Sequence, residues 1–465
     1  MLTVTTGADT ADRVCGAHCS LRAAITVANA LPGPDHIALP AGTVTLSIAG
    51  ANENANASGD LDVTSDLVIS GAGADRTLID AQRLDRVLHV RNASLELEDL
   101  QLRRGRAVAG DGGGVAVQGG ALTLRRVLVR DCASDNWGGR VYVGAGDLLI
   151  EASTLADNRA ERGGGLYFQG FSRQLTIDNS TISGNLASAG GGIFVDQEYG
   201  FANTCAITSS TIADNRGGGL RNVAGAFALA LGNDLLAGNA GGNCAPGSGH
   251  SLGHDLDDDG SCPLIRPSDR PNTAAALRPL AVTGGPTPTQ ALAAGSAAID
   301  GGDRDTCPPL DQRGQARVGT CDIGAHEATA GPCGDGVVDR DEAGDGGAGA
   351  DPCCSRACAA AVDGSRCTDD LRRPAAVGGD GAPGAGSGQG PHHALASRVP
   401  GRRFARRRVP ARSPHPHLQG DHPHRHRRSR RHQRQRRVAR PRGLPTRGGG
   451  ADRVPVKGVL TCLRC

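Results

Sequence analysis

Residues 180–195 read STISGNLASAGGGIFV, with STLADNRAERGGGLYF before them at 153–168 and STIADNRGGGL after them at 210–220. Aligned on the fifth residue after the serine, the three superpose Asn158, Asn185 and Asn215. Gly105, Cys132 and Asn239 continue the series at spacings of 24 to 30 residues. Three positions earlier stand Leu102, Val129, Leu155, Ile182, Ile212 and Leu236, apolar every time between small or polar neighbours. That is one inward side chain per repeat on a strand. A period of about 27 residues with several short strand runs is too short for a helix-containing repeat. The pattern predicts an all-β solenoid, a parallel β-helix.

Glycine triplets at 112–114, 163–165, 190–192 and 217–219 mark one bend in successive coils. Positive φ or close stacking of backbones excludes side chains there. No phosphate-loop lysine follows them, so they are structural. The asparagines are expected to stack and hydrogen-bond along the axis.

The 465 residues include 70 Gly, one Trp, three Tyr and six Phe, so any core is aliphatic. The near balance of 50 basic and 48 acidic residues hides a split: residues 371–465 hold 23 Lys/Arg against three Asp. Fifteen cysteines in local pairs, Cys15/Cys19, Cys244/Cys262 and Cys307/Cys321 among them, indicate an oxidising compartment and are the disulfide candidates. The expected location is extracellular or at the cell surface. The start, MLTVTTGADTADRV, lacks the basic and apolar regions of a signal peptide, which places the export signal upstream or lost. No run reaches the ~18 apolar residues of a membrane span.

An open coil stack needs a cap at each end. In CSLRAAITVANALPGP, residues 19–34, Ser20 caps a helix whose Leu21, Ala24, Ile25 and Ala28 form an apolar stripe, and Pro32-Gly33 stops it. This stretch resembles the CSLREAI domain of bacterial surface proteins that continue into right-handed β-helix repeats, a pectate-lyase-like fold. Ala23 stands where that family has Glu, which removes the capping-box carboxylate. GDLDVTSDLVISGAGADRTLIDA, residues 59–81, looks like the family's first coils. GGPTPTQALAAGSAAIDGGD and DQRGQARVGTCDIGAHE resemble its choice-of-anchor Q region. CGDGVVDRDEAGDGGAGADPCCSRACAAAVDGSRC, residues 333–367, is similar to a myxobacterial-type Cys-rich module, with Gly344 where another Cys is expected. The resulting division is an N-terminal cap and first coil at 1–60, the β-helix at 61–250, C-terminal coils at 251–330, a Cys-rich module at 331–370 and a tail at 371–465. The tail, almost wholly Arg, His, Pro, Gly and Ala, cannot bury a core. It reads as a disordered polycation or as the product of a shifted frame in a GC-rich gene, and nucleic acid is not the expected partner.

For chemistry, the residues one step before the asparagine series are Arg104, Asp131, Asp157, Gly184, Asp214 and Gly238. Coil stacking sets Asp131 and Asp157 about 4.8 Å apart and Asp157 and Asp214 about 9.6 Å apart. The latter is near the gap of an inverting glycosidase dyad, so Asp131, Asp157 and Asp214 are the catalytic candidates, against a reading as solvated turn aspartates. Trp137, Phe171 and Tyr199 flank strands and form a candidate outer patch for sugar rings, whereas Phe168 and Phe194 are expected in the core. DLDDDGSC, residues 255–262, spaces Asp255, Asp257 and Asp259 as in a calcium loop but has Arg266 where the bidentate Glu belongs. His18, His36 and His89 stand isolated, and no Ser-His-Asp order, HExxH helix, zinc-spaced CxxC, Walker loop or dinucleotide fingerprint is present. The sequence thus predicts an adhesive or structural display scaffold contacting an extracellular glycan or surface protein. A polysaccharide lyase or glycoside hydrolase is the alternative.

Overall fold

The computed structural model describes residues 1–328, save 52, 109, 140, 170–173, 197–203 and 224–227. The Cys-rich module, the tail, Phe171 and Tyr199 lie outside the described residues. The chain coils into a parallel β-solenoid with a 14-stranded sheet, a 10-stranded sheet and a small two-stranded one. In the ten-stranded sheet Leu102, Val129, Leu155, Ile182, Ile212 and Leu236 stand in direct register, every one fully buried. The 14-stranded sheet adds parallel rows such as Leu88, Val115, Val141, Leu166, Ile193 and Leu220. Each such residue contributes roughly 1.5–3 kcal/mol on burial, and together they form one core along the axis.

The corners explain the polar periodicity. Arg104, Asp131, Asp157, Gly184, Asp214 and Gly238 all have φ between 53° and 69°. That is the left-handed region, where Asp, Asn and Gly are favoured. A second corner, at Asp99, Arg126, Ala152, Asn179, Ser209, Asn233 and His254, has φ of 47° to 59°. At the glycine triplets, Gly163 and Gly190 are left-handed too, and a Cβ on Gly164 would sit 2.4 Å from the Gly191 carbonyl oxygen.

Two polar ladders run inside the turns. In the first, Asn185 Nδ2 donates to Asn215 Oδ1 (2.9 Å), Asn215 Nδ2 to Asn239 Oδ1 (2.9 Å) and Asn239 Nδ2 to Asn243 Oδ1 (2.7 Å). Each of these oxygens also accepts the backbone N–H one step earlier. The ladder ends where Asn243 Nδ2 donates to Asp257 and Asp258. In the second, the backbone N–H of Val127, Ser153 and Ser180 donates to the hydroxyl of Ser153, Ser180 and Ser210 in turn. It continues from Ser210 N to Asp234, from Asp234 N to Asp255 and from Asp255 N to Asp269.

The N-terminal end is closed by helix α1, Leu21–Ala28. Ser20 caps it by accepting from Ala23 N at 3.1 Å, and Leu21, Ala24, Ile25 and Ala28 enter the core as expected. Arg22, only 1% exposed, pairs through Nε with Asp9 at 2.7 Å and donates to the carbonyls of Gly59 and Asp60. At the far end of α1, Asn29 donates to Asp62 O and accepts from Thr64 N, tying the helix to the first coils.

Beyond the last coil, at Arg270–Pro271, the chain does not add the coils expected through 330. Residues 275–328 fold back along the outer face of the ten-stranded sheet instead. Outward Thr154, Thr181 and Thr211, otherwise solvated, bond there to Pro288 O, Gln312 Oε1 and Ala325 N. Ala275, Leu292, Ala298 and Ile323 cover Leu235 and Leu256. Cys15–Cys19, Cys244–Cys262 and Cys307–Cys321 are disulfide-bonded.

Burial pushes Asp255 and Asp322 up to about 7, and burial with the neighbouring Asp255 raises Asp234 well above the ordinary carboxyl range. A carboxyl raised on folding stabilises the fold below its unfolded pKa near ~4, and that stability is lost as pH rises through the folded value. Asp9 and Asp80 behave oppositely. Burial works against their charge, but hydrogen bonds from Arg22 and Arg104 prevail and lower both, so their stabilisation disappears in acid. The melting temperature is therefore expected to fall between about pH 5 and 8 and again below about pH 4. Thermal melts across that range check it, and a steady rise from pH 5 to 8 would contradict it.

Candidate functional site

Outside the core, strand alternation lifts one residue per coil onto the outer face of the 14-stranded sheet. Beside the glycine corner that row reads Asp62, His89, Ala116, Tyr142, Tyr167, Phe194, Arg221, in register. Tyr142 and Tyr167 stack with centroids 5.7 Å apart, and Tyr167 and Phe194 at 5.2 Å, with planes 22° and 9° apart. Trp137 lies on Tyr167 at 5.2 Å and 10°. Arg162 and Arg221 sit over Phe194 at 5.7 and 5.8 Å. Such contacts fix ring orientations and are worth about 0.5–1.5 kcal/mol per aromatic pair.

Two cavities open along the row. One, about 400 Å³, is lined by Glu161, Arg162, Ser188, Phe194 and Arg221 among others. The other, about 310 Å³, is formed by Asp111, Asn136, Trp137, Glu161 and Arg162. They share Glu161 and Arg162. Asp111 accepts from the Trp137 backbone N–H at 3.1 Å, and burial raises its carboxyl. Burial, with Asp111 nearby, pushes Tyr142 up to about 12. Burial and the 2.5 Å hydrogen bond Tyr167 donates to Asp196 raise that phenol as well, so both hydroxyls remain protonated donors at neutral pH.

At the other end of the row lies a buried charged group. Asp62 Oδ1 is 3.2 Å from His89 Nδ1, and Asp60 Oδ2 is 2.5 Å from Arg86 Nε. Burial, opposed by Arg86, pushes Asp60 up to about 7, and burial raises Asp85 too.

The residues singled out in the sequence are spread over several of these features. Trp137 is in the row, half-buried. Phe168 and Phe194 are both buried as expected, but in separate clusters: Phe168 joins the main core and Phe194 packs on Tyr167 on the other side of the sheet, because Phe168 is in register with Val195 and alternation puts the two aromatics on opposite sides. Asp131 pairs with Arg130 at 2.9 Å, Asp214 accepts from Gln290 at 2.6 Å, and Asp157 is exposed, all three on the left-handed corner. Of the acidic turn, Asp257 and Asp259 gather with Asp258, their carboxylates within 4.8 Å of one another. Asp255 belongs to the serine ladder, accepting from Ser251 at 2.6 Å. Asp257 accepts from Asn243 and Cys262 N, which makes it the terminus of the asparagine ladder. The sequence reading missed Tyr167 and Arg162 as neighbours of Trp137, and Tyr142 as a partner of Tyr167. Register was the absent signal, since the stacking crosses coils about 25 residues apart.

Residues 90–235 match the family model described as the right-handed beta helix region. The described residues thus share the parallel β-helix fold. Curated proteins and solved structures give no match. The matched segment of the β-helix holds Ala116, Tyr142, Tyr167, Phe194 and Arg221, whereas Asp60, Asp62 and His89 lie before it. Among the described residues, no helix is long and apolar enough to cross a membrane.

Proposed function

We propose that this is an extracellular or cell-surface β-helix that displays a glycan-binding groove on the outer face of its 14-stranded sheet. The observation that carries the reading is Trp137 held flat on Tyr167 between Asp111, Asn136, Glu161 and Arg162. A pre-oriented aromatic face ringed by polar and charged groups suits a sugar ring, whose faces are apolar and whose edge is hydroxyl. Solenoid repetition favours a polymeric ligand. The three disulfides support an oxidising location.

The test is a glycan array followed by calorimetry on the full chain. Trp137→Ala is expected to weaken binding by about 10- to 100-fold, or about 1–3 kcal/mol, while lowering stability only by about the 0.5–1.5 kcal/mol of one aromatic stack. Equal binding by the variant removes the groove from the reading. The same samples incubated with polysaccharide separate the enzymatic alternative. Reducing ends or unsaturated uronates that vanish in Asp157→Asn or Asp214→Asn would establish a lyase or glycosidase at those corners.

A further inference from the structure

His89, isolated in the sequence, is brought by the coil register against Asp62, with Asp60 and Asp85 close by. One ligand atom from each of Asp60, Asp62 and His89 lies within 4.8 Å of the others. All are nine-tenths or more buried: Asp62 0%, Asp60 2%, His89 5%, Asp85 6%. His89 Nδ1 faces Asp62 Oδ1, and in the neutral imidazole with its proton on that nitrogen the lone pair falls on Nε2. That Nε2 has no hydrogen-bond partner, nor has Asp85 Oδ2, while Asp60 Oδ2 faces the Arg86 guanidinium. Three carboxylates are buried around one guanidinium, Arg86, because the neighbouring Arg22 is paired with Asp9. Buried nitrogen and carboxylate atoms without partners are costly, and one divalent cation satisfies them.

We propose that Asp60, Asp62 and His89 bind a single divalent transition-metal ion of the zinc class. One nitrogen and two or more carboxylate oxygens suit zinc or manganese, whereas calcium takes oxygen alone. The ion ties the strand at Leu61–Val63 to the one at Leu88–Glu98, beneath α1, so its role is to lock the capped end of the solenoid. Independent of the glycan reading, the site uses no residue of the aromatic groove.

The experiment strips the full chain with a chelator, then adds zinc, manganese or calcium. It measures metal per chain after gel filtration and the melting temperature. The sequence also holds a histidine-rich stretch at 415–432 and cysteines beyond 328, so the decisive quantity is the difference between wild type and His89→Gln. About one zinc fewer per chain is expected in the variant, with loss of a zinc-induced rise in melting temperature that wild type shows and calcium does not reproduce. Asp62→Asn should weaken zinc by about 10- to 100-fold. Equal zinc content and equal zinc response in wild type and His89→Gln would overturn the proposal. So would a wild-type melt that zinc does not raise, whether or not the variants fold.

Discussion

Asn215→Ala is expected to destabilise the solenoid by about 2–4 kcal/mol. Oδ1 of Asn215 accepts from Asn185 N at 3.0 Å and Asn185 Nδ2 at 2.9 Å, and its Nδ2 donates to Ile182 O and Asn239 Oδ1. Truncation leaves the Asn185 backbone N–H buried and unbonded, weakens the two acceptors and opens a void in a turn that no water enters freely. Asn215→Asp should be as damaging, since it keeps the acceptor but replaces the donor with a buried charge opposite Asn239 Oδ1. The control is Asp157→Gly, one residue before the equivalent Asn158. Glycine already occupies that left-handed corner at positions 184 and 238, and the change should stay within about 0.5 kcal/mol. Urea unfolding of the three variants decides it. A neutral Asn215→Ala would mean that the ladder is filler.

Arg22→Ala is expected to cost about 3–5 kcal/mol. It strands Asp9, whose side chain is 1% exposed and also accepts from Ser47 N and Ile48 N, and it leaves the carbonyls of Gly59 and Asp60 without their donors. Arg22→Lys should rescue little, because a single ammonium cannot span a carboxylate and two carbonyls as the guanidinium fork does. The paired change Asp9→Leu, Arg22→Met should recover part of the loss by removing the uncompensated charge. Hydrogen exchange adds a positional readout: in Arg22→Ala, protection should fall first in Leu21–Ala28 and in the strand at Leu61–Val63. Uniform loss along all coils would show that the helix does not hold the end closed.

The repeat was legible because each coil spends one residue on a requirement that admits few side chains. An aliphatic at position 155, an asparagine at 158 and glycine at 163 can each be read without coordinates. The helix was legible for the same reason, with Ser20 and the apolar stripe as local signals. The second ladder was overlooked although Ser153, Ser180 and Ser210 mark the very motif used for the alignment. Its continuation as Asp234 and Asp255 breaks residue identity while keeping hydrogen-bond role. The same conservation of geometry over identity hid the outer row. His89, Tyr142, Tyr167 and Phe194 share nothing in sequence except a register, and Phe168 and Phe194 enter different buried clusters because a one-residue shift between them reverses the side. The corner aspartates share a spacing that any residue repeated at a left-handed bend has, so spacing alone does not separate a catalytic carboxylate from a solvated turn.

The fold-back of residues 275–328 sets a schedule for the nascent chain. Thr154 meets Gln312 at 2.7 Å across 158 residues of sequence. At about 5–20 residues per second, a ribosome needs roughly 8–30 s to deliver the second partner after the first. Once Leu235 and Leu256 are added, the outer face of the ten-stranded sheet still waits for residues 275–328 to cover it. A chain that coils as it is made would pass through a solenoid with one flank uncovered, a target for chaperones or for a second nascent copy. Codon choice between positions 154 and 312 becomes a determinant of yield.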